Sequence, residues 1–248
     1  MLNIFSKKQF LIDLLKDFVD IHCHILPGID DGAKTVDESI SLIKKMSELG
    51  IKQFIATPHI MQDFYPNDEL SIGNAFQSLI ENLAKKKLNN TVINPSAEYM
   101  MDNHFENLVK QKDLFPLKEN YVLIEMSYFQ PPINLQEIIH DILMKEYKPV
   151  LAHPERYTYY HGKKEFYKTL KQLGCFFQLN LLSLSDHYGK SIQKTGSYLL
   201  DENLIDFVAT DTHNSSHIEK LTNMVINKNK KTKLLSIIEN TKNTFLVS

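Results

Sequence analysis

Seven short apolar runs recur along the chain, and the interval after each run leaves room for one helix. They read FVDIHCH (18–24), KQFIATPH (52–59), TVINPSAEY (91–99), YVLIEMS (121–127), KPVLAHPERY (148–157), CFFQLN (175–180) and DFVATDTH (206–213). The runs lack strict polar–apolar alternation, which is typical of strands covered on both faces. Strands that alternate with helices predict a parallel α/β fold, either an open doubly wound sheet or a closed barrel.

The helical pattern between the runs is clearest at 35–49. Thr35 and Glu38 have the spacing of a capping box there, and Gly50 follows at the position of a C-terminal cap. Helical spacing of apolar residues predicts further helices over 73–88, 134–146, 163–173 and 217–242.

The chain shows no linker and no break in composition, so we expect one domain over 1–248. Residues 1–17 carry apolar side chains at helical spacing and predict an N-terminal helical extension. We expect this extension to pack on the domain. Self-association through it, which would give a homo-oligomer, is the alternative.

Charge and hydropathy exclude two classes of partner. Lysine and arginine number 28 against 30 acidic residues, so nothing indicates a nucleic-acid partner. No apolar run approaches the roughly 20 residues that a membrane-spanning helix needs, so we expect no membrane insertion. Cys23 and Cys175 are too far apart in sequence to suggest a disulfide framework. A reducing compartment is the simplest interpretation, and we expect a cytoplasmic protein.

Imidazole and carboxylate side chains stand at the carboxyl end of six of the seven runs: His22, His24, His59, Glu98, Glu125, His153, Asp211 and His213. A single histidine at a strand end is ordinarily a cap or a core residue. Eight such side chains at equivalent positions predict a metal centre, because the carboxyl ends of barrel strands converge on one face. No glycine-rich loop follows the first run, which argues against a nucleotide-binding doubly wound sheet.

The spacing within the first run bears on the kind of metal. His22 and His24 are two residues apart on a strand and should share one face, whereas Cys23 should face away as a buried packing residue. A ligand set of imidazole and carboxylate suits Mn, Fe or Zn at a catalytic site. The set is too large for one ion, so two or three are implied, and clustered ions favour hydrolysis of a phosphoester.

The segments DIHCHILPGIDDGAKTVDES, ATPH, AEYM, LIEMS, LAHPERY and ATDTHN together resemble the PHP superfamily (polymerase and histidinol phosphatase). Within it they are most similar to the bacterial manganese-dependent protein-tyrosine phosphatases of capsular and exopolysaccharide operons. The resemblance implies a distorted (β/α)7 barrel with parallel strands and outer helices. It also implies three divalent metal ions, Mn²⁺ first with Fe or Zn as alternatives. The implied substrate is a phosphotyrosine protein, a tyrosine kinase of polysaccharide export.

The resemblance also implies a role for individual residues. The first ion would be held by His22, His24, Glu98 and Asp211. Glu98 would bridge to a second ion, which would also be held by Glu125 and His153. The third ion would be held by Asp31, His59 and His213. Sequence alone does not separate Asp31 from Asp30, which is the weaker candidate. Arg156 matches the phosphate-binding arginine of the family, so it is predicted to be catalytic and to bind substrate. The alternative for Arg156 is a surface ion pair with Glu155 or another acid.

Two segments depart from the family pattern, the extension 1–17 and the segment after the last ligand motif. Many members carry a second phosphate-binding arginine after the last ligand motif, but THNSSHIEKL has none. His217 is the predicted substrate-binding replacement. The alternatives are Lys220, or a site that relies on Arg156 and metal alone. Nothing in the sequence selects the proton donor among His161, Asp186, His187 and His217. The aromatic residues of DFYP (63–66) and SYFQPP (127–132) could flank the substrate ring or simply pack their loops.

Four other functions are weighed against a tyrosine phosphatase. A small-molecule phosphatase of the histidinol-phosphate type would share the metals and differ in its pocket. A PHP nuclease is disfavoured by the near-neutral charge. A non-catalytic kinase partner is disfavoured by the full ligand set. An amidohydrolase typically has a lysine at the end of strand four, where this chain reads IEMS.

Overall fold

Residues 8–88 and 91–247 are described by a computed structural model. Its strands are β1 (Gln9–Phe10), β2 (Phe18–Cys23), β3 (Ile51–Ala56), β4 (His59–Ile60), β5 (Val92–Pro95), β6 (Glu98–Met100), β7 (Tyr121–Glu125), β8 (Lys148–Ala152), β9 (Phe176–Asn180), β10 (Phe207–Ala209) and β11 (Val225–Ile226). Its α-helices are α1 (Val36–Glu48), α2 (Glu69–Lys85), α3 (Asn103–Gln111), α4 (Leu135–Met144), α5 (Lys164–Gln172), α6 (Lys190–Asp201), α7 (Ser215–Asn223) and α8 (Lys228–Phe245).

The strands form a barrel from two parallel sheets, ordered β2-β3-β5 and β10-β9-β8-β7-β6-β4. The second and third predicted strands are each interrupted, since β3 continues into β4 and β5 into β6. The chain after β10 returns to β2, where the Asp211 amide donates to the His22 carbonyl over 2.8 Å and the His24 amide to the Thr212 carbonyl over 3.0 Å. These bonds close seven strand positions into a ring, so the predicted distorted barrel is confirmed.

The ends of α1 follow the predicted capping signals. The Thr35 hydroxyl accepts a hydrogen bond from the Glu38 amide over 3.2 Å. The Glu38 carboxylate accepts from the Lys34 amide rather than from Thr35, so only half of the capping box forms. Gly50 has a φ of +99°, and a Cβ there would lie 2.9 Å from the Leu15 carbonyl oxygen. Glycine is therefore required where the helix turns into β3.

Two helical predictions need correction. Within the described part of the 1–17 extension, the chain forms the strand β1 and one 3-10 turn over Leu11–Leu14, and residues 1–7 lie outside the described residues. The predicted helix 217–242 is divided into α7 and α8, because β11 between them pairs antiparallel with β1. Long-range pairing thus overrides the local helical pattern. The helical pattern of the sequence predicts neither α3 nor α6.

The barrel interior is filled with apolar side chains, which include Val19, Ile21, Ile55, Leu123, Val150, Phe207, Ala209 and Phe245. Phe245 comes from the end of α8 and is fully buried, with its ring centroid 5.0 Å from that of Phe207 and 5.3 Å from that of Tyr121. Tyr121 and Phe207 are the first residues of β7 and β10, so the end of α8 closes the amino end of the barrel. The polar candidate ligands lie at the carboxyl end of the barrel. Among the described residues, no helix has the length and apolarity to cross a membrane.

Truncating the Phe245 side chain should destabilise the barrel. We expect Phe245→Ala to lower the free energy of unfolding by about 3–5 kcal/mol, because it removes a buried aromatic ring and leaves a cavity. Urea denaturation followed by circular dichroism measures the change. Leu246→Ala is the control, since the neighbouring side chain is 46% exposed and should cost little. Equal midpoints for the two variants would contradict this role of Phe245.

Candidate metal centre

The predicted ligands meet at the carboxyl end of the barrel. Their imidazole and carboxylate atoms form four overlapping groups whose members lie within 4.8 Å of one another: His24, Asp31, His59 and His213; His22, His24 and Asp211; His22, Glu98 and His153; His59, Glu98 and Glu125. The groups include all nine predicted ligands and share several members. Overlap of this kind suits a cluster of ions rather than one isolated ion.

Glu98 lies between two of these groups. Its Oε2 is 3.1 Å from Nε2 of His22 and 3.1 Å from Nδ1 of His59, and its Oε1 is 3.1 Å from Nε2 of His153. Burial opposes ionisation of this fully buried carboxyl, but the His22 and His59 imidazoles hold its pKa well below the usual range. Glu98 therefore stays a carboxylate with both oxygens turned toward candidate ligands.

Four buried polar atoms of the centre have no hydrogen-bond partner among the described residues: Glu98 Oε2, Glu125 Oε1, His59 Nδ1 and His153 Nδ1. His59 Nδ1 is only 2.9 Å from Glu125 Oε1, yet the pair lacks hydrogen-bond geometry. A buried polar group without a partner costs about 1–3 kcal/mol, so four together at one place need an explanation. Three of these atoms converge, because Glu98 Oε2 and Glu125 Oε1 lie 3.1 and 2.9 Å from His59 Nδ1. Convergent lone pairs fit divalent cations, and the residues present therefore suit a multi-metal centre.

Asp31 and Asp30, which the sequence did not separate, have different surroundings. Asp31 Oδ1 is 3.4 Å from Nε2 of both His59 and His213, so these three side chains come together as predicted for one ion. Asp30 turns the other way, with Oδ2 2.8 Å from His24 Nδ1 and Oδ1 accepting from the Gly32 amide. Asp31 is therefore the ligand candidate, and Asp30 orients His24.

Sequence reasoning missed the polar residues of β9, the one predicted strand without a ligand. Gln178 Oε1 is 2.8 Å from His22 Nδ1, and Asn180 Nδ2 donates to Asp211 Oδ2 over 2.9 Å. Both amides are fully buried and orient candidate ligands. Their signal was present in FQLN, where two polar residues stand two apart near the end of an apolar strand.

Two candidate ligands adopt backbone conformations that non-glycine residues rarely take. His153 has a φ of +35° and Asp211 a φ of +51°. Strain of this kind persists where the surroundings impose it, commonly at functional sites. Before Asp211, the fully buried Asp20 carboxylate accepts from the Thr210 amide over 3.0 Å and from the Thr210 hydroxyl over 2.5 Å. Asp20 thus ties β2 to the chain that carries Asp211.

Arg156 lies against this centre rather than on the open surface. Its Nη1 donates to Asp211 Oδ2 over 2.8 Å, and its guanidinium carbon is 4.8 Å from the ring centroid of Tyr128 and 4.4 Å from that of Tyr188. The alternative partner, Glu155, is buried and accepts from the Asn180 amide instead. The two rings hold a planar cation next to the candidate ligands, where it could bind a phosphate.

The other candidate donors lie beside the centre or away from it. His217 Nδ1 is 3.2 Å from the Asp211 carbonyl oxygen, and burial lowers the pKa of His217 to about 4. Lys220 Nζ is 2.8 Å from Nδ1 of His187, farther along α7. His161 has both ring nitrogens engaged, by the Ser191 hydroxyl and the Glu155 carbonyl. His217 is thus the nearest of these to the predicted ligands, although its Nδ1 faces backbone.

Cys23 packs away from the candidate ligands. It is buried in the apolar cluster between barrel and helices, with Sγ 3.6 Å from the Ile55 carbonyl oxygen. It belongs to none of the four groups formed by the described residues. Cys23 therefore lies apart from His22 and His24, as predicted, although the alternation along β2 is irregular, since its pairing with β3 shifts register between Asp20 and Cys23.

Removing an orienting amide should weaken the metal centre without removing a ligand. We expect Gln178→Leu to lower metal affinity and activity about 10- to 100-fold, because His22 loses the partner that orients its ring. Gln53→Leu is a matched control, since Gln53 is also a strand glutamine but bonds to Val247 at the other end of the barrel. Calorimetric titration with Mn²⁺ makes the comparison. Equal affinity in both variants would contradict the role of Gln178.

Comparison with known proteins identifies the family to which this chain belongs. The sequence model of a family described as capsular polysaccharide synthesis, CpsB/CapC, matches residues 18–245. The tyrosine-protein phosphatase YwqE of Bacillus subtilis is 33% identical over 197 residues, which cover 79% of this chain and 77% of YwqE.

Solved structures show the same relationship. A solved structure superposes on this chain with a TM-score of 0.74. It comes from work on YwqE of Bacillus subtilis and CpsB of Streptococcus pneumoniae, which are described as metal-dependent tyrosine phosphatases. It is 30% identical, and the match covers 82% of this chain and 84% of the other. A histidinol phosphate phosphatase of Lactococcus lactis shares the fold at 14% identity, a TM-score of 0.54, and coverage of 90% and 94%. The chain therefore belongs to the CpsB/CapC family, which confirms the resemblance inferred from its motifs.

Proposed function

We propose that this chain is a metal-dependent phosphatase that hydrolyses phosphotyrosine in proteins. The observation that carries the proposal is the set of unpartnered buried atoms on Glu98, Glu125, His59 and His153, with Arg156 held alongside. Membership of the CpsB/CapC family, with a relative named as a tyrosine-protein phosphatase, supports the same activity. The chain would then be a hydrolase of capsule or exopolysaccharide biosynthesis.

We assign the nine predicted ligands to three divalent ions, Mn²⁺ first, with Fe or Zn as alternatives. One set is His22, His24, Glu98 and Asp211; a second is Glu98, Glu125 and His153; a third is Asp31, His59 and His213. The short contacts of Glu98 to both His22 and His153 support its place in two sets. Bound ions supply Lewis-acid charge for phosphate oxygens and a lowered pKa for water.

The protein's own side chains then position the phosphate. Arg156 already turns one N–H edge toward Asp211, and its planar fork suits two phosphate oxygens. Its donors would stabilise the negative charge that grows on those oxygens during the reaction. A tyrosine phenolate, with a pKa of about 10, leaves with less help from a proton donor than an alkoxide requires. We keep His217 as a secondary substrate-binding candidate.

The substrate we propose is a phosphotyrosine protein, specifically an autophosphorylating tyrosine kinase of polysaccharide export. We also propose a cytoplasmic location for this chain. Cys23 and Cys175 are both buried as free thiols, which is in keeping with a reducing compartment.

The deciding experiment compares two substrates on protein purified without chelators, with its metal content measured. A phosphotyrosine peptide should be hydrolysed with a higher kcat/KM than histidinol phosphate, and removal of the metals should abolish both activities. Re-addition of Mn²⁺ should restore them. A preference for histidinol phosphate would identify a small-molecule phosphatase instead. Full activity after chelation would overturn the metal assignment.

A further inference from the structure

The loop 126–134, between β7 and α4, exposes large apolar side chains beside the metal centre. Phe129 is 95% exposed and Ile133 fully exposed, more than any other large apolar side chain of the described residues. One exposed apolar residue is ordinary, but two on a single loop indicate an interaction surface. The loop begins just after Glu125, so it leaves the barrel on the edge that carries the candidate ligands.

The loop touches the site through Tyr128, the residue that precedes Phe129. The ring of Tyr128 stacks on that of His153, with centroids 5.9 Å apart and an interplanar angle of 28°. The same ring lies 4.8 Å from the Arg156 guanidinium carbon. Tyr128 therefore covers two residues of the centre, while Phe129, the next residue, is free to contact a ligand. A molecule bound at Arg156 would therefore lie beside Tyr128, at the start of the loop that exposes Phe129 and Ile133.

The loop is held in this position before any ligand binds. The Tyr159 hydroxyl donates to the Ser127 carbonyl over 2.8 Å, and the Ser127 hydroxyl accepts from the Phe129 amide over 3.2 Å. Pro131 and Pro132 restrict the backbone between the two exposed side chains. A surface that is already ordered loses little conformational entropy on binding, so its apolar contacts contribute more to affinity.

We propose that Phe129 and Ile133 bind the polypeptide that flanks the phosphotyrosine of a protein substrate, so that apolar residues beside the phosphotyrosine increase affinity. The proposal rests on the proposed phosphotyrosine activity. A peptide is the occupant that fits, because its phosphorylated side chain can reach Arg156 while its backbone passes over the loop. A small phosphate ester would fill the metal centre without contacting Phe129 or Ile133.

Steady-state kinetics on three substrates test this. They are a phosphotyrosine peptide with leucines beside the phosphotyrosine, the same peptide with serines there, and phenyl phosphate. The double variant Phe129→Ala/Ile133→Ala should raise KM for the leucine peptide about tenfold with kcat unchanged, an effect expected from losing partial burial of apolar side chains. Its KM for phenyl phosphate and for the serine peptide should stay within about twofold of wild type.

Met144→Ala is the matched control, because Met144 is another exposed large apolar residue (68%) but lies at the last position of α4, at the opposite end of that helix from the loop. Met144→Ala should leave KM and kcat unchanged for all three substrates. If the double variant loses the same factor in kcat/KM on all three substrates, the loop only shapes the metal centre. If its KM for the leucine peptide is unchanged, the loop does not bind the peptide. Either result overturns this inference while wild-type turnover of phosphotyrosine persists. Failure of wild type on both peptides would instead overturn the proposed function.

Discussion

Glu98→Gln is expected to lose bound metal and more than about 100-fold of phosphatase activity, since even residues that only orient a ligand contribute 10- to 100-fold. Glu98 is fully buried and contacts His22, His59 and His153 within 3.1 Å. Glutamine keeps the shape but replaces one oxygen by an N–H₂ group that cannot ligate a cation. The variant also removes a negative charge from between groups that would share ions. Metal analysis of the purified variant and its kcat on a phosphotyrosine peptide measure both losses.

Glu155→Gln is the matched control for that experiment. Glu155 is a second fully buried glutamate, but burial raises its pKa to about 7, and it belongs to none of the ligand groups. Glutamine therefore imitates a form that the carboxyl already adopts near neutral pH, and metal content should be retained. Equal metal content in Glu98→Gln and wild type would show that Glu98 is not a ligand. Equal metal loss in both variants would point to a general loss of folding.

Eight of the nine ligand candidates could be predicted because each stands at the end of a strand that the sequence shows on its own. His22, His59 and His153 follow apolar runs, and the barrel topology alone brings such ends together. Adjacent loop residues could not be separated in this way. The choice between Asp30 and Asp31 depends on a close approach of the chain, where a Cβ on Gly32 would lie 2.1 Å from the His24 carbonyl oxygen.

Long-range contacts account for the other differences. The strand β11 interrupts a helical pattern only because β1, more than 200 residues away, pairs with it (Gln9 with Ile226). Gln178 has no local feature that marks it as the partner of His22, 156 residues away in the chain. Sequence patterns predict which residues lie on a face, whereas the direction of a particular side chain depends on the packed structure around it.

Arg156→Ala is expected to reduce kcat/KM for a phosphotyrosine peptide by about 10²- to 10³-fold, the usual cost of removing one donor that stabilises transition-state charge. Unlike Glu98→Gln, this variant should keep its metals, because Arg156 bonds to Asp211 without being a ligand. Arg156→Lys should recover little, since lysine keeps the charge but lacks the planar fork that Tyr128 and Tyr188 hold between their rings.

Inhibition by inorganic phosphate separates this role of Arg156 from a structural one. Both Arg156 variants should bind phosphate more weakly than wild type at unchanged metal content, because the guanidinium edge is the missing donor. Tyr188→Phe should behave like wild type, since the aromatic face remains, whereas Tyr188→Leu should lose part of the phosphate affinity. Wild-type inhibition in Arg156→Ala would mean that the guanidinium only neutralises Asp211. In that case the metals, with His217 beside them, would have to bind the phosphate without any arginine, because Arg156 is the only arginine in the chain.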